Sequence, residues 1–324
     1  MINHSIHQIT VTTPYAVGDV HMYVYKGESV SLIDAGVNTD EAWDQLVKGL
    51  KEINLQPSDI EQIILTHHHP DHIGLTGRFE HEPIVYGHRL VEPWLNQSDR
   101  FFEGYRDFFN DLYEKWDVPQ RFRNIEKTIA VTKKFSSKSK LHHYLSEGDI
   151  IEGIPGMRVI ETPGHAQSHL SFWDETNRQM IVGDVLLKHI SSNPLLEPPE
   201  NKGDARPKPL LEYRKSLAKL LEYDVEQFLP GHGNPFRGHK ELIERRLERQ
   251  AKRAENVLVY LKEKGPLTPY EICTWLFARQ YESQFGLTMS ETIGQLDYLE
   301  SIGAVNNVES NGVSYYAPTM THQK

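Results

Sequence analysis

QIILTHHHPDHIGLTG, residues 62–77, decides how the rest of the chain is read. Its apolar run from Ile63 to Leu65 predicts a buried strand that stops at a polar loop. The loop carries His67, His69, Asp71 and His72 within six residues. Imidazole and carboxylate are the ligands that borderline cations such as Zn²⁺ accept, and four of them at one strand end supply most of two coordination shells. His67 and His69, at alternate positions, reach one ion from the same side. Asp71 and His72, where the chain turns into a helix expected over 73–79, reach a second. Gly74 and Gly77 let the backbone pack closely where that helix meets the loop.

The same arrangement recurs downstream. Residues 157–161, 170–173, 180–182 and 225–229 read as strands, and ligand-type residues follow three of them in Thr162-Pro-Gly-His165, Gly183-Asp184 and Pro230-Gly-His232. A lone histidine in a PGH tripeptide says little. Three such sites after the dense first cluster predict a metal centre gathered along the rim of a two-sheet scaffold.

Upstream, residues 20–34 read as a hairpin turning at Lys26-Gly27-Glu28 and ending at Asp34-Ala35-Gly36. Ala42, Leu46, Leu50 and Ile53 have helical spacing, with a cap from Asn38, Thr39 or Asp40. A strand is expected over 83–86 and a helix over 88–94. Aromatics at 101, 102, 105, 108, 109, 113 and 116 fit amphipathic helices that cover and line the pocket. Residues 133–143 are polar and read as a loop. Residues 187–209, rich in Pro, Gly and Ser, leave Asp184 as a long loop, making Lys188, His189, Ser192 and Asn193 candidates for substrate contact. Helices are expected over 210–222 and 238–263.

Gly265-Pro266 marks a boundary. Two helical stretches and a strand–turn–strand with Asn311-Gly312 at its tip then follow the winged-helix order. The second helix carries Glu291, Asp297 and Glu300. From Pro266 onward the only cations, Arg279 and Lys324, stand against six acidic residues. Phosphate contact needs positive charge, so this module is expected to pack, dimerise or close the pocket. A formal net charge of −10 likewise argues against general capture of nucleic acid or anionic membrane. No apolar run is long enough to span a bilayer. The start has neither a basic nor an apolar leader region, and a single cysteine, Cys273, excludes an internal disulfide, so a cytoplasmic protein is expected.

THHHPDH at 66–72, with His165, Asp184 and His232, resembles the metallo-β-lactamase fold hydrolases, whose first motif is H-x-H-x-D-H. The resemblance covers roughly residues 10–240. It implies an α/β fold, an αββα four-layer sandwich with a binuclear site of glyoxalase II or RNase Z type at one edge. The implied division is a catalytic domain at 1–240 with a helical insertion around 97–125, a connecting helix at 241–264 and a winged-helix-like domain at 265–324. By the same resemblance His67, His69 and His165 hold one metal, Asp71, His72 and His232 the other, and Asp184 bridges them. The cations are expected to be zinc, with manganese or iron as alternatives. Zinc β-lactamases commonly use a cysteine ligand or lack the bridging aspartate, and Cys273 lies far from the motif, which speaks against β-lactam hydrolysis.

Two cations about 3.5–4 Å apart can share one water and lower its pKa towards neutrality. The expected reaction is attack of a metal-bridging hydroxide on a small carbonyl substrate, a thioester or lactone, with Asp71 positioning the hydroxide or taking its proton. The alternative is a phosphodiesterase or ribonuclease, for which Lys133, Lys134, Lys138 and Lys140 are the only modest basic cluster. A small-molecule substrate and a homodimer are the expected partners. Among the other histidines, His68 is assigned to packing or support, His169 to a hydrogen bond with a ligand carboxylate, and His21 to the pocket floor. Tyr86 is assigned to the pocket lining. His4, His7, His142, His143 and His239 receive no role.

Overall fold

Alternating side chains along the strands sort the chain into layers. The computed structural model describes residues 5–319, so His4 and Lys324 lie outside the described part. The first sheet runs in chain order: β1 (Ser5–Val11), β2 (Val20–Lys26), β3 (Val30–Ile33), β4 (Gln62–Ile64), β5 (Ile84–Gly87) and β6 (His143–Tyr144). Its first three strands pair antiparallel and the later ones parallel. Leu32, Ile63 and Val85 lie side by side across β3, β4 and β5 and face Ala42, Leu46 and Leu50 of α1 (Asp40–Glu52). Thr39 caps α1 by accepting from the Ala42 N–H at 3.1 Å.

Tyr23, Tyr25, Ile33 and Ile64 point the other way. They meet Val159 of β7 (Met157–Glu161), Leu170 and Phe172 of β8 (Leu170–Asp174) and Ile181 of β9 (Gln179–Gly183), which form the second sheet with β10 (Gln227–Pro230). The outer face of that sheet, Ile160, Met180, Val182 and Phe228, is covered by Leu217 and Leu220 of α6 (Pro209–Leu220) and Ile243 of α7 (His239–Lys264). Helix, sheet, sheet and helix thus stack as a sandwich whose three apolar seams each come from one face of a strand.

Several expectations are corrected. The helix after the histidine loop is α2 (Pro70–Ile73) and not 73–79, because the N–H groups of Gly74 and Leu75 go to the carbonyls of Gly36 and Ala35 at 2.7 and 2.8 Å. That approach is possible only without a side chain at 74, where a Cβ would stand 2.3 Å from the Asn38 nitrogen. After α3 (Glu92–Leu95), the helical insertion runs past 125: α4 (Asp99–Lys115) is followed by α5 (Ile125–Phe135), so the segment read as loop from 133 begins inside a helix. Tyr86 is packed between the sheets against His143, 4.9 Å away, and does not line the pocket. β1, whose alternation buries only Ile9 and Val11, was not anticipated.

Beyond α7 come α8 (Pro269–Leu276), α9 (Phe285–Ser301) and the hairpin β11 (Val305–Ser310)–β12 (Val313–Pro318). α9, the stretch whose charge argues against phosphate contact, lies against α6 and α7 with twelve of its residues buried. Its acids face cations of the main body. Arg206 holds Asp297 in a two-pronged pair, one arm at 2.9 Å, Lys208 reaches Glu300 at 2.8 Å, and Arg253 pairs with Glu291.

Candidate metal centre

Four strand tips meet at one edge of the sandwich. His67–His72 follows β4 of the first sheet, and His165, Asp184 and His232 follow β7, β9 and β10 of the second. The seven side chains fall into three overlapping clusters: His67, His69 and His165; His67, His72 and Asp184; and Asp71, His72 and His232. Within each cluster the candidate ligand atoms lie within 4.8 Å of one another. Asp184 stands between the halves, Oδ1 3.6 Å from His72 Nε2 and Oδ2 3.6 and 3.5 Å from His165 and His232 Nε2. His232 Nε2 is also 3.4 Å from Asp71 Oδ2. Gly231 makes room for this packing, since a Cβ there would lie 2.3 Å from Asp184 Oδ1.

Hydrogen bonds behind the rings fix which nitrogen faces the centre. His72 Nδ1 donates to Asp34 Oδ2 at 2.8 Å, His165 Nδ1 to the Asn193 carbonyl at 2.9 Å, and His232 Nδ1 to the Asp19 carbonyl at 2.7 Å. Thr66 gives its hydroxyl proton to Asp34, so its oxygen accepts from His67 Nδ1 at 2.9 Å. The Nε2 lone pairs therefore point inward. Those of His72, His165 and His232, like Asp184 Oδ1, are buried with no hydrogen-bond partner among the described residues. Inward lone pairs left bare are costly unless something electropositive meets them, so this donor set fits a divalent pair.

Electrostatics agree. Burial, reinforced by neighbouring imidazoles, holds His67 and His69 well below the usual histidine range, in the neutral form a cation requires. Burial opposes charge at His72 and His232 too, but Asp184 with Asp34 or Asp71 outweighs it and raises both. At Asp184 burial is likewise outweighed by the histidines, and its carboxyl sits well below the ordinary value. The two carboxylates thus favour a positive charge among the five imidazoles, and a cation bound there would take the place of the protons on His72 and His232.

Three of the remaining histidines serve the frame. His68 stacks on Trp94 at 4.2 Å and bonds Ser168 Oγ at 2.8 Å, and burial pushes its imidazole down to about 3. His169 bonds the main chain of Asp184 and not its carboxylate: Nε2 accepts that N–H at 3.0 Å and Nδ1 faces Thr162 Oγ1 at 2.8 Å. His21 is not pocket floor, since its ring reaches the Gly233 carbonyl at 2.6 Å and so braces the His232 loop. Of the loop candidates, Ser192 and Asn193 border the cavity, while Lys188 and His189 face solvent outside it. Asp34, Thr66, Tyr15 and Arg246 were missed. Tyr15 lines the cavity, its hydroxyl buried with no hydrogen-bond partner among the described residues, and Arg246 ties down the 187–190 loop through the carbonyls of Leu187 and Ile190. Only Asp34 left a trace, a carboxylate directly after an apolar strand.

A cavity of about 940 Å³ opens on the cluster, with His69, Asp71, His165, Asp184 and His232 in its wall. α5, the 187–195 segment and residues 282–287 of the C-terminal part complete it. Among the described residues no helix is long and apolar enough to cross a membrane.

Residues 15–232 match the model of the metallo-beta-lactamase superfamily. The chain is 42% identical over 316 residues, 98% of each protein, to the probable metallo-hydrolase YqjP of Bacillus subtilis. It is 27% identical over 144 residues, 44% of this chain and 43% of the relative, to an N-acyl homoserine lactonase of Bacillus thuringiensis. A solved metallo-beta-lactamase family protein of Thermus thermophilus superposes with a TM-score of 0.80 at 28% identity, covering 97% of this chain and 98% of its own. The chain belongs to the metallo-beta-lactamase superfamily and is a metal-dependent hydrolase of that family.

Proposed function

We propose that this hydrolase holds two zinc ions and cleaves a small carbonyl substrate, a thioester or a lactone. His67, His69 and His165 would hold one ion and Asp71, His72 and His232 the other, with Asp184 between them. When bound, such cations lower the pKa of water and polarise a carbonyl oxygen. The chain's own groups do the rest. The rings are held by Asp34, Asn193 and Asp19, so the donor set does not have to reorganise on turnover. Asp71 lines the cavity and can take the proton of the attacking water on a carboxylate oxygen. Tyr15 lines the same cavity, and its hydroxyl, without a partner among the described residues, would be the donor to the substrate oxygen on which charge develops.

The observation that carries the ester reading is the wall of the cavity. None of Lys133, Lys134, Lys138 and Lys140 lines it. Lys133 instead pairs with Asp99 at 3.1 Å and lies over the Phe102 ring, and Lys134 lies over Phe135. A phosphodiester track needs a run of cations along the groove; the wall here has two, Arg121 and Lys127, set among Glu282 and the apolar side chains of Phe122, Val131, Ile190, Phe285 and Leu287. The similarity to a lactonase adds weight to the same class of substrate. α9, with its acids engaged by Arg206, Lys208 and Arg253, acts as packing and pocket wall in this reading.

The test is a panel of acyl thioesters, lactones and phosphodiesters on metal-assayed protein, with His69→Ala as control. Turnover of a thioester or lactone that His69→Ala abolishes is expected, with two equivalents of zinc. Turnover confined to phosphodiesters would overturn the assignment.

A further inference from the structure

We propose that the substrate carries an apolar arm, and that the arm lies against Val131, Ile190 and Leu287 in the outer part of the cavity. These three are among the exposed large apolar side chains of the described residues. Taken singly, an exposed aliphatic residue needs no explanation. Here they come from α5, from the loop after Asp184 and from the start of α9, and all three line the one cavity that also holds the metal ligands. Solvent-facing apolar groups converging from three elements on a reactive site mark a surface made to be covered. Behind them the wall is aromatic. Phe122 and Phe285 stack at 4.7 Å with 18° between their planes, and Tyr113 meets Phe285 edge-on at 5.6 Å.

The C-terminal part is thereby a specificity element: without it the arm loses Leu287 and Phe285 together. The arm rests on the ester reading only for the chemistry at its end. Burying one methylene is worth ~0.8 kcal/mol, or about fourfold in binding or in kcat/KM.

Three series test the inference on the full chain: esters of lengthening acyl chain, acetyl esters of lengthening alcohol, and 2-alkanones, which present a carbonyl but no leaving group. Turnover is followed for the esters and calorimetric affinity for the ketones. One ester series and the ketones are expected to gain about fourfold per methylene, and the rising ester series tells which side of the carbonyl bears the arm. Leu287→Asp flattens the rise, while Val308→Asp, an exposed apolar position outside the cavity, keeps the wild-type slope. If neither ester series is cleaved, the proposed function is decided by its own thioester and lactone panel, and the ketone slope decides the arm by itself. Ketone affinity that ignores chain length overturns the arm, as does a slope that survives Leu287→Asp, Val131→Asp and Ile190→Asp alike.

Discussion

Replacing Asp34 by asparagine probes the centre without touching a proposed ligand. Asp34 sits at φ +60°, a conformation asparagine shares with aspartate, so the backbone is not strained by the change. Its Oδ1 accepts the Thr66 N–H at 2.8 Å, and its Oδ2 accepts His72 Nδ1 at 2.8 Å. The Thr66 N–H is a main-chain donor that cannot become an acceptor. It forces the new amide to place its oxygen at the Oδ1 position and its NH₂ against His72. Two donors then face each other. The ring relieves this by moving its proton to Nε2, the nitrogen that points at Asp184 and His232, where a lone pair is needed.

Loss of such an orienting partner costs about 10–100-fold in metal affinity, or ~1.4–2.7 kcal/mol. Competitive chelator titration with metal analysis should show one equivalent bound as in wild type and the other weakened by that factor. Urea unfolding of the metal-free protein reports separately on the fold. A folded Asp34→Asn protein that binds both equivalents at wild-type affinity would refute the claim that Asp34 sets the His72 tautomer.

Three further changes have defined outcomes. Gly231→Ala puts a methyl where Asp184 Oδ1 and His72 Cε1 stand, 2.3 and 2.7 Å from the new carbon; turnover should fall about a hundredfold with the melting curve intact, and near-normal turnover would show that the carboxylate has room to move. Tyr15→Phe should lower kcat with KM and metal content little changed, because it removes only a donor to the developing charge; a pure KM effect would place the hydroxyl in substrate binding instead. Glu197 is buried, and burial pushes its carboxyl up to about 8 despite the Gln167 N–H at 3.1 Å. The folded chain keeps a proton that the unfolded chain releases near 4.5, so this contribution is full at low pH and is lost as pH rises through about 8. Glu197→Gln should therefore gain up to a few kcal/mol relative to wild type at the alkaline end, read from urea midpoints at about pH 5 and pH 9; parallel curves would rule out a protonated Glu197.

The clusters were legible in the sequence because a metal ligand must be one of few residue types and must sit where a strand releases the chain toward the rim. His67, Asp184 and His232 satisfy both conditions, and neither depends on long-range geometry beyond a two-sheet scaffold. What orients them was not legible. Asp19 and Asn193 act through carbonyls, which every residue possesses, so nothing in their side chains announces the role. Asp34 acts through its side chain, but its partners Thr66 and His72 lie 32 and 38 positions away and become neighbours only when β3 and β4 pair in parallel. His169 and His21 were misassigned for the same reason: the residue type was right for a site, yet their partners are backbone groups of Asp184 and Gly233.

The C-terminal stretch shows how far charge can be read and where it stops. An acidic helix in a winged-helix order is a poor match for phosphate, and that inference needs only Coulomb's law. It does not say where the acids go. A carboxylate such as that of Asp297, fully buried in the fold, survives desolvation only beside a partner. The partner is Arg206, which belongs to the proline-rich segment read as a loop bordering the pocket. That pairing links two expectations held separately, a loop near the metals and a module of unassigned purpose. Because 187–209 runs from Asp184 to the α9 docking site, the strand tip that carries a candidate ligand and the helix that walls the cavity are fixed to one another through a single connection. The charge that argues against a nucleic-acid role for α9 is therefore the charge that holds Phe285 and Leu287 over the reactive edge.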